Sequence, residues 1–162
     1  VPLLSVHNVK PFVTIWPVEK GNKPTSFRVS PDSMKHLVPT KNYVLVRRFS
    51  AKEEARRLTA SCFLRDDMTC HLNYVYHAER DLTADEVFGI AALFNSLLLD
   101  KFFRTISGNT QVNATEVRTM KFPELDSIAR IGKRVRRLRL RTTPAVEAIV
   151  VEELGFDPGT IG

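Results

Sequence analysis

The chain has 162 residues, 43% of them hydrophobic, which is enough for one good core but too few for two large domains. It has no run of eighteen apolar residues and no charged-then-apolar leader, which argues against a membrane span or secretory signal and favours a cytoplasmic protein. All 24 Lys and Arg and 14 of the 18 acidic residues lie in residues 1–141, so this part carries a net charge of +10. A charge of this size indicates a polyanionic partner, either nucleic acid or an anionic membrane surface. The alternative is that the charge only keeps the domain soluble.

The first half of the chain has the pattern of short strands separated by turns. Five runs are rich in β-branched and aromatic residues and are bounded by Pro, Gly, Asn, Asp or Ser. Between the third and the fourth run, Ser50-Ala-Lys-Glu53 fits a capping box and predicts one helical turn. The five predicted strands are 13–16, 26–30, 43–49, 58–64 and 72–76.

The second half has helical periodicity. Thr83-Ala-Asp-Glu86 is a capping box, and apolar residues then recur every three or four positions, so a long helix is predicted at about 83–105. Gly108 is its predicted left-handed C-cap, and after a polar loop Asn113 is the predicted N-cap of a short helix. The expected fold is therefore α+β, with a mostly antiparallel curved sheet in the N-terminal half, packed by the long helix, and further helices toward the C-terminus.

A basic helix is predicted after Pro123. Seven of the twelve positions from 130 to 141 are Lys or Arg, while apolar residues still recur three or four apart. A last short helix is predicted to begin at Thr143-Pro144 and to stop before Gly155. The apolar positions of the basic helix are Leu125, Ile128, Ile131, Val135 and Leu138.

These patterns suggest a division of the chain into a binding domain at 1–123 and a helical extension at 124–162. The sequence begins at Val1 and not at Met, so we expect it to be a piece of a longer protein.

The sequence lacks the motifs of several catalytic classes. It has no glycine-rich strand-to-helix loop, no Walker lysine and no Asn-Pro-Pro-aromatic motif. Its carboxylates do not form the strand-borne acid-x-Lys arrangement of a magnesium-dependent nuclease. No catalytic or cofactor-binding residue is therefore assigned, and this chain is not expected to be an enzyme by itself.

Two cysteines, Cys62 and Cys70, lack the paired spacing of structural zinc sites. His71 and His77 lie nearby, so a zinc site is an alternative, but apolar burial of both thiols is the preferred interpretation. No metal site is assigned.

Two polar segments carry groups that bind DNA. A cation-rich segment follows the third strand, and its arginines suit phosphate contacts and bidentate reading of guanine. The loop at 108–113 offers amide, hydroxyl and backbone N–H groups at a helix start, where an anion is favoured. The alternatives are a solvated charged hairpin and the mutual capping of two helix ends. The candidates are Arg47, Arg48, Lys52, Arg56 and Arg57 for base contacts, Asn109, Thr110, Gln111 and Asn113 for positioning the DNA backbone, and Arg136 and Arg137 for tracking the backbone from the basic helix.

Three segments, in the same order, resemble the C-terminal part of adenine-specific type II modification methyltransferases of bacterial restriction-modification systems. They are 41–58, 72–76 (Leu-Asn-Tyr-Val-Tyr) and 92–123, so the resemblance covers about residues 40 to 123. The string Ser107-Gly-Asn-Thr-Gln111 before a helix also resembles target-recognition domains of type I specificity subunits.

The resemblance implies a division of labour. In that family an N-terminal catalytic domain binds S-adenosylmethionine and methylates a flipped adenine, while the C-terminal domain reads the target sequence. This chain would then be the specificity domain. Its partners would be double-stranded DNA and the catalytic domain of the parent chain, with S-adenosylmethionine bound only in that catalytic domain and no membrane involved.

Three other functions stay open on the sequence alone. The chain could belong to a restriction endonuclease or a fused restriction-modification enzyme. It could be half of a type I specificity subunit. The basic helix could also lie on a membrane surface, although packing explains its apolar face.

Overall fold

The computed structural model describes residues 1–19, 21–64, 66, 68–70, 72–109 and 111–157. Within these residues, a mixed sheet of five strands occupies the N-terminal half, in the order β2-β3-β5-β4-β7. Its neighbouring strands are antiparallel except β3 and β5, which are parallel, and β1 and β6 form a separate parallel pair. The strands are β1 (Leu3–Leu4), β2 (Val9–Lys10), β3 (Phe12–Thr14), β4 (Tyr43–Val46), β5 (Ala60–Phe63), β6 (Thr69–Cys70) and β7 (Asn73–Val75).

Four of the five predicted strand regions contain a strand of the sheet, and the fifth does not. Residues 26–30 form no strand, and only Ser26 makes an isolated bridge, to Pro2. The capping box predicted at Ser50 forms no helix. The Ser50 hydroxyl accepts from the Arg57 Nε at 2.9 Å, and in the turn that follows, the Glu54 Oε1 accepts from the Ala51 N–H at 3.0 Å. Three strands of two residues each were missed, since two residues cannot show an alternating pattern.

Five α-helices follow among the described residues of the second half, which confirms the α+β class. Their bounds are α1 (Ala84–Phe94), α2 (Leu97–Ile106), α3 (Ala114–Thr119), α4 (Leu125–Arg137) and α5 (Thr143–Leu154). The predicted capping box at Thr83 and Glu86 and the predicted N-cap at Asn113 are both present. None of the described helices is long and apolar enough to cross a membrane.

The predicted single helix at 83–105 is wrong in one respect, because it is broken between α1 and α2. Asn95 turns its amide onto strand β5, where it accepts from the Ala60 N–H at 3.0 Å and donates to the Ala60 carbonyl at 2.8 Å. Ser96 then caps α2, since its hydroxyl accepts from the Leu99 N–H at 3.1 Å. The apolar positions that the sequence predicted for one helix therefore do not form one buried face, and Phe102 is 44% exposed.

The glycine prediction at the end of α2 is also wrong. The helix ends through Ser107 in an extended conformation, and Gly108 does not adopt a positive φ. Gly155, at φ 69°, is the left-handed residue that ends α5, so the last helix stops where the sequence predicted.

Both faces of the sheet are covered, so all four residues of β4 are buried. Val44 and Val46 face the helices and join the main core with Phe94 and Phe103. Tyr43 and Leu45 alternate to the other face, where they pack with Leu4, Val9, Met68 and Leu72. The segments that follow β4 and α2 therefore both begin at this core, which is shared by the sheet and the helices.

Helices α1 and α4 meet backbone to backbone. A Cβ atom at Gly132 would lie 1.7 Å from the Asp85 carbonyl oxygen, and one at Gly89 would lie 1.9 Å from the Ile128 carbonyl oxygen. Ile128, on α4, belongs to the same core as the sheet. Helix α4 is therefore packed into this core, and the domain boundary at 123 stays a prediction.

Candidate nucleic-acid interface

The structure brings the two predicted binding segments side by side. We call residues 47–57 the arginine loop and residues 107–113 the amide loop. The Val112 N–H donates to the Arg48 carbonyl at 2.8 Å, and Phe49 opposes Gln111 in an antiparallel bridge. Segments that lie about sixty residues apart in the sequence thus form one surface. The candidate Thr110 lies outside the described residues.

Arg57 holds the two loops together from the inside. Its side chain is buried, its Nε donates to the Ser50 hydroxyl at 2.9 Å, and its Nη2 donates to the Asn109 carbonyl. The guanidinium also lies 5.6 Å from the centre of the Phe103 ring. These contacts use the groups that the sequence analysis assigned to base reading, so Arg57 shapes the surface and does not present its side chain to solvent.

Two side chains of helix α2 anchor the backbone of the arginine loop. The buried carboxylate of Asp100 accepts from the N–H groups of Arg57 and Leu58, each at 2.7 Å. Arg104, which bonds the same carboxylate at 2.9 Å, donates to the carbonyls of Lys52 at 3.1 Å and Glu54 at 2.7 Å. Sequence reasoning missed this anchor, although the Asp100–Arg104 spacing of four is a recognisable helical ion pair.

Two further arginines of the loop are half-buried. Arg47 donates to the Glu54 carboxylate at 3.4 Å, and Arg56 donates to the Asn95 carbonyl at the end of α1. Each guanidinium is therefore partly committed to the fold. Arg47 and Arg56 therefore have fewer free N–H groups to offer a ligand than two fully exposed arginines would.

The remaining candidates of the two loops are exposed. Arg48 and Lys52 have no ion-pair partner among the described residues, and the Arg48 guanidinium lies 5.8 Å from the centre of the Phe49 ring. Asn109 and Gln111 expose their amides, whereas the Asn113 side chain accepts from the Thr115 N–H at 3.0 Å to cap α3. The exposed groups thus combine two cations, two amides and one aromatic ring, which is the chemistry of nucleic-acid contacts. They are Arg48, Phe49, Lys52, Asn109 and Gln111.

The cations of α4 are largely matched by acids on neighbouring helices. Arg134 donates to Glu153 at 2.9 Å and to Glu152 at 2.7 Å, both on α5, and hydrogen bonds from Arg134 lower the pKa of Glu153. Arg130 also bonds Glu153, at 3.4 Å. Arg136 reaches Asp85 of α1 at 2.5 Å. Of the two candidates on this helix, only the exposed Arg137 has no acidic partner among the described residues.

The α4 candidates lie away from the two loops. Arg56 bonds Asn95 just beyond the C-terminal end of α1, whereas Arg136 bonds Asp85 near the N-terminal end. Those two positions are ten residues apart, or about 15 Å along a helix that rises about 1.5 Å per residue. The structure therefore does not bring Arg136 and Arg137 into the surface formed by the arginine and amide loops.

The cysteines are partly buried, and their thiols are held in the protonated form. Burial raises the pKa of Cys62 to about 12 and raises that of Cys70 as well. Among the described residues, no three His, Cys, Asp or Glu side chains are grouped to hold a metal ion. His71, which the zinc alternative invoked, lies outside the described residues.

A shallow apolar groove of about 850 Å³ runs along α5. Leu97, Ala148, Val151 and Phe156 contribute to its wall, and its lining contains no Lys or Arg. The groove therefore lacks the cations that a nucleic acid requires. The exposed loop surface, rather than this groove, is the candidate interface.

Comparison with known proteins identifies two similar bacterial enzymes. The chain is 33% identical over 142 residues to the type II methyltransferase M.PstI of Providencia stuartii, an alignment that covers 83% of this chain and 28% of that protein. It is 39% identical over 106 residues to the type II methyltransferase M.BsuBI of Bacillus subtilis, covering 61% of this chain and 21% of that protein. The chain thus spans about a quarter of the length of the curated relatives it matches. No protein-family model and no solved structure matches it.

Proposed function

We propose that this chain is the target-recognition part of an adenine-specific type II DNA methyltransferase of a bacterial restriction-modification system, and that it binds double-stranded DNA through the arginine and amide loops. The observation that carries the proposal is the bridge between Phe49 and Gln111, with the hydrogen bond from Val112 to Arg48 beside it. It joins two segments that each carry DNA-binding groups into a single surface. The similarity to two type II methyltransferases supports the same assignment.

The loops supply two kinds of DNA contact. Arg48 and Lys52 are exposed cations, suited to phosphate oxygens, and arginine can also read guanine in a bidentate manner. Asn109 and Gln111 carry exposed amides that match the edge of adenine. The interior residues Arg57 and Asp100 keep these groups in place and contact no DNA themselves.

Methyl transfer itself belongs to the part of the parent protein outside this chain. The relatives extend over several times the matched length, which leaves room for a catalytic domain that binds S-adenosylmethionine. A base that is flipped out of the duplex needs a pocket, whereas selection of the site needs groove contacts, so the two tasks suit separate domains. On α4, Arg137 is the residue best placed to add a peripheral phosphate contact.

Selection from a randomised library of DNA duplexes tests this proposal. Repeated capture by the 162-residue chain should enrich one short sequence, which then binds more tightly than a scrambled duplex in fluorescence anisotropy. The double variant Arg48→Ala, Lys52→Ala should weaken binding. The control Arg28→Ala, Lys35→Ala removes two exposed cations outside both loops and should leave binding nearly unchanged.

Two results would contradict the proposal. One is the absence of any enriched sequence after repeated selection, and the other is an equal fall in affinity in both double variants. Incubation of the chain with DNA and labelled S-adenosylmethionine should give no methylated DNA, and clear incorporation of label would refute the separation of recognition from catalysis.

A further inference from the structure

An exposed aromatic ring lies where the two loops pair. Phe49 is 46% exposed, and it stands directly opposite Gln111 in the antiparallel bridge. Directly opposed residues of such a bridge project their side chains to the same face. The Phe49 ring and the Gln111 amide therefore share one exposed face of the loop surface.

The backbone around Phe49 is fixed, although its ring is not packed into the core. On one side the Arg48 carbonyl accepts from the N–H of the buried Val112 at 2.8 Å. On the other side Ser50 is buried and bonds Arg57 at 2.9 Å. The ring is thus exposed to solvent while its backbone is held in place, so a ligand contact would cost less conformational entropy.

The neighbours of the ring favour a nucleic-acid base as its contact. The exposed guanidinium of Arg48 lies 5.8 Å from the centre of the Phe49 ring, so a phosphate held by Arg48 would place a nucleotide beside the ring. A phenylalanine ring that inserts at a base step of a duplex can stack on any base because each has a π-face, whereas a glutamine amide pairs specifically with the N6 and N7 atoms of adenine. One exposed face therefore offers both an unspecific and a specific base contact.

We propose that Phe49 and Gln111 form a base-contacting pair, in which the Phe49 ring packs against a base and the Gln111 amide hydrogen-bonds a base edge. The proposal rests on the proposed DNA-binding function. It moves Gln111 from positioning the DNA backbone to reading a base, and it adds Phe49, which the charge-based sequence analysis passed over. Because neither side chain is charged, neither releases counterions on binding, and their contributions to affinity do not depend on salt.

The test is a salt titration of DNA affinity. Wild-type chain, Phe49→Ala and Gln111→Ala are each titrated with the duplex that the wild type selects from a randomised library and with a scrambled duplex. Phe102→Ala is the matched control, because Phe102 is 44% exposed and lies on α2 outside both loops. Phe49→Ala should weaken binding about tenfold at every salt concentration, the order expected when one stacked base is no longer held, with no change in the slope of log affinity against log salt. Gln111→Ala should weaken the selected duplex more than the scrambled one, and Phe102→Ala should be silent.

A second aromatic variant separates contact from folding. Phe49→Tyr keeps the ring and should retain most of the affinity, while thermal melts show whether Phe49→Ala is folded. Equal affinities of Phe49→Ala and Phe102→Ala would overturn the proposal, as would a Phe49→Ala effect that appears only as a smaller salt slope. If the wild type binds no duplex, the proposed function fails, whereas sequence-selective binding that survives both Phe49→Ala and Gln111→Ala refutes this base-contacting pair alone.

Discussion

The arginine loop and helix α4 are the two most cation-rich regions of the molecule, and they use their cations differently. On α4, Arg130, Arg134 and Arg136 each bond an acid on a neighbouring helix. In the arginine loop the cations range from the buried Arg57 to the exposed Arg48, and the loop meets the amide loop across a backbone bridge. The comparison shows that a high density of arginines does not by itself locate a DNA-binding surface, because nearby acids decide how much of the charge is available.

The two regions are also fixed in place by different physics. Helix α4 is held by close contact with α1 at Gly89 and Gly132, where any side chain would collide with backbone. The arginine loop is held by polar groups, above all by the Asp100 carboxylate and the Arg104 guanidinium. Variants that disturb one type of support should therefore leave the other type intact.

The largest expected effect is on the support of the arginine loop. Asp100→Ala removes the acceptor of two buried N–H groups and the partner of Arg104. Leaving these groups unsatisfied should lower the free energy of unfolding by about 3 to 5 kcal/mol, measured by urea denaturation. Asp126→Ala is the control, because Asp126 is an exposed acid in the first turn of α4 and should change stability by less than about 1 kcal/mol. Similar effects of the two variants would mean that Asp100 does not anchor the loop.

The next effect is on the support of α4. An added methyl group at Gly132 would lie 1.7 Å from the Asp85 carbonyl, so Gly132→Ala should destabilise the fold by about 1 to 3 kcal/mol, although alanine normally favours a helix. Gly108→Ala is the matched control in the amide loop, where an added Cβ meets no atom within 4 Å and the φ is not positive. Thermal melts should show a clear fall for the first variant and little change for the second. A neutral or stabilising Gly132→Ala would contradict the close contact of α1 and α4.

A smaller loss of stability is expected at acid pH, when Glu86 in the first turn of α1 becomes protonated. Hydrogen bonds from Arg80 and Thr83 lower the pKa of Glu86 to about 2, below its usual value of 4.5. Because the folded-state pKa is the lower one, the stabilisation is complete above about pH 4.5 and disappears as the pH falls toward 2. Since the Arg80 side chain is 45% exposed, solvent screening limits this change to about 1 kcal/mol.

The pH prediction is checked by urea denaturation at a series of pH values from 7 to 2 in the wild type and in Glu86→Gln. The variant should lack this part of the acid-induced destabilisation. A parallel decline in both proteins would show that Glu86 does not contribute the dependence.

Local patterns predicted much of this structure, and long-range pairings account for most of what they missed. The capping box at Thr83, the N-cap at Asn113 and the apolar periodicities identified helices, because these signals lie within one or two turns of chain. The same periodicity hid the break after α1, since apolar residues continue at helical spacing across Asn95 and Ser96, and only the pairing of Asn95 with Ala60 reveals it. The meeting of Phe49 with Gln111 and the contact between Gly89 and Ile128 likewise depend on residues distant in the chain.

The candidate site shows the same limit. Charge and side-chain chemistry marked both loops as DNA-binding segments, and the structure places them together. The sequence did not separate Arg57, which the fold buries, from Arg48, which it exposes, because both are arginines in one polar segment. The exposure of Phe49 was also not recognisable, because this residue ends the predicted strand 43–49, where an aromatic side chain is typical.

The most direct test of the central claim, that the loops and not the ion-paired arginines of α4 contact DNA, is the salt dependence of DNA affinity in two double variants. One is Arg48→Ala, Lys52→Ala in the arginine loop, and the other is Arg130→Ala, Arg134→Ala on α4, so each removes two positive charges. In the loop variant the slope of log affinity against log salt should fall by about 0.9 for each phosphate that is no longer neutralised, and in the α4 variant it should stay close to the wild-type value. A flattened slope in the α4 variant together with an unchanged slope in the loop variant would contradict the account and place the DNA on the helix.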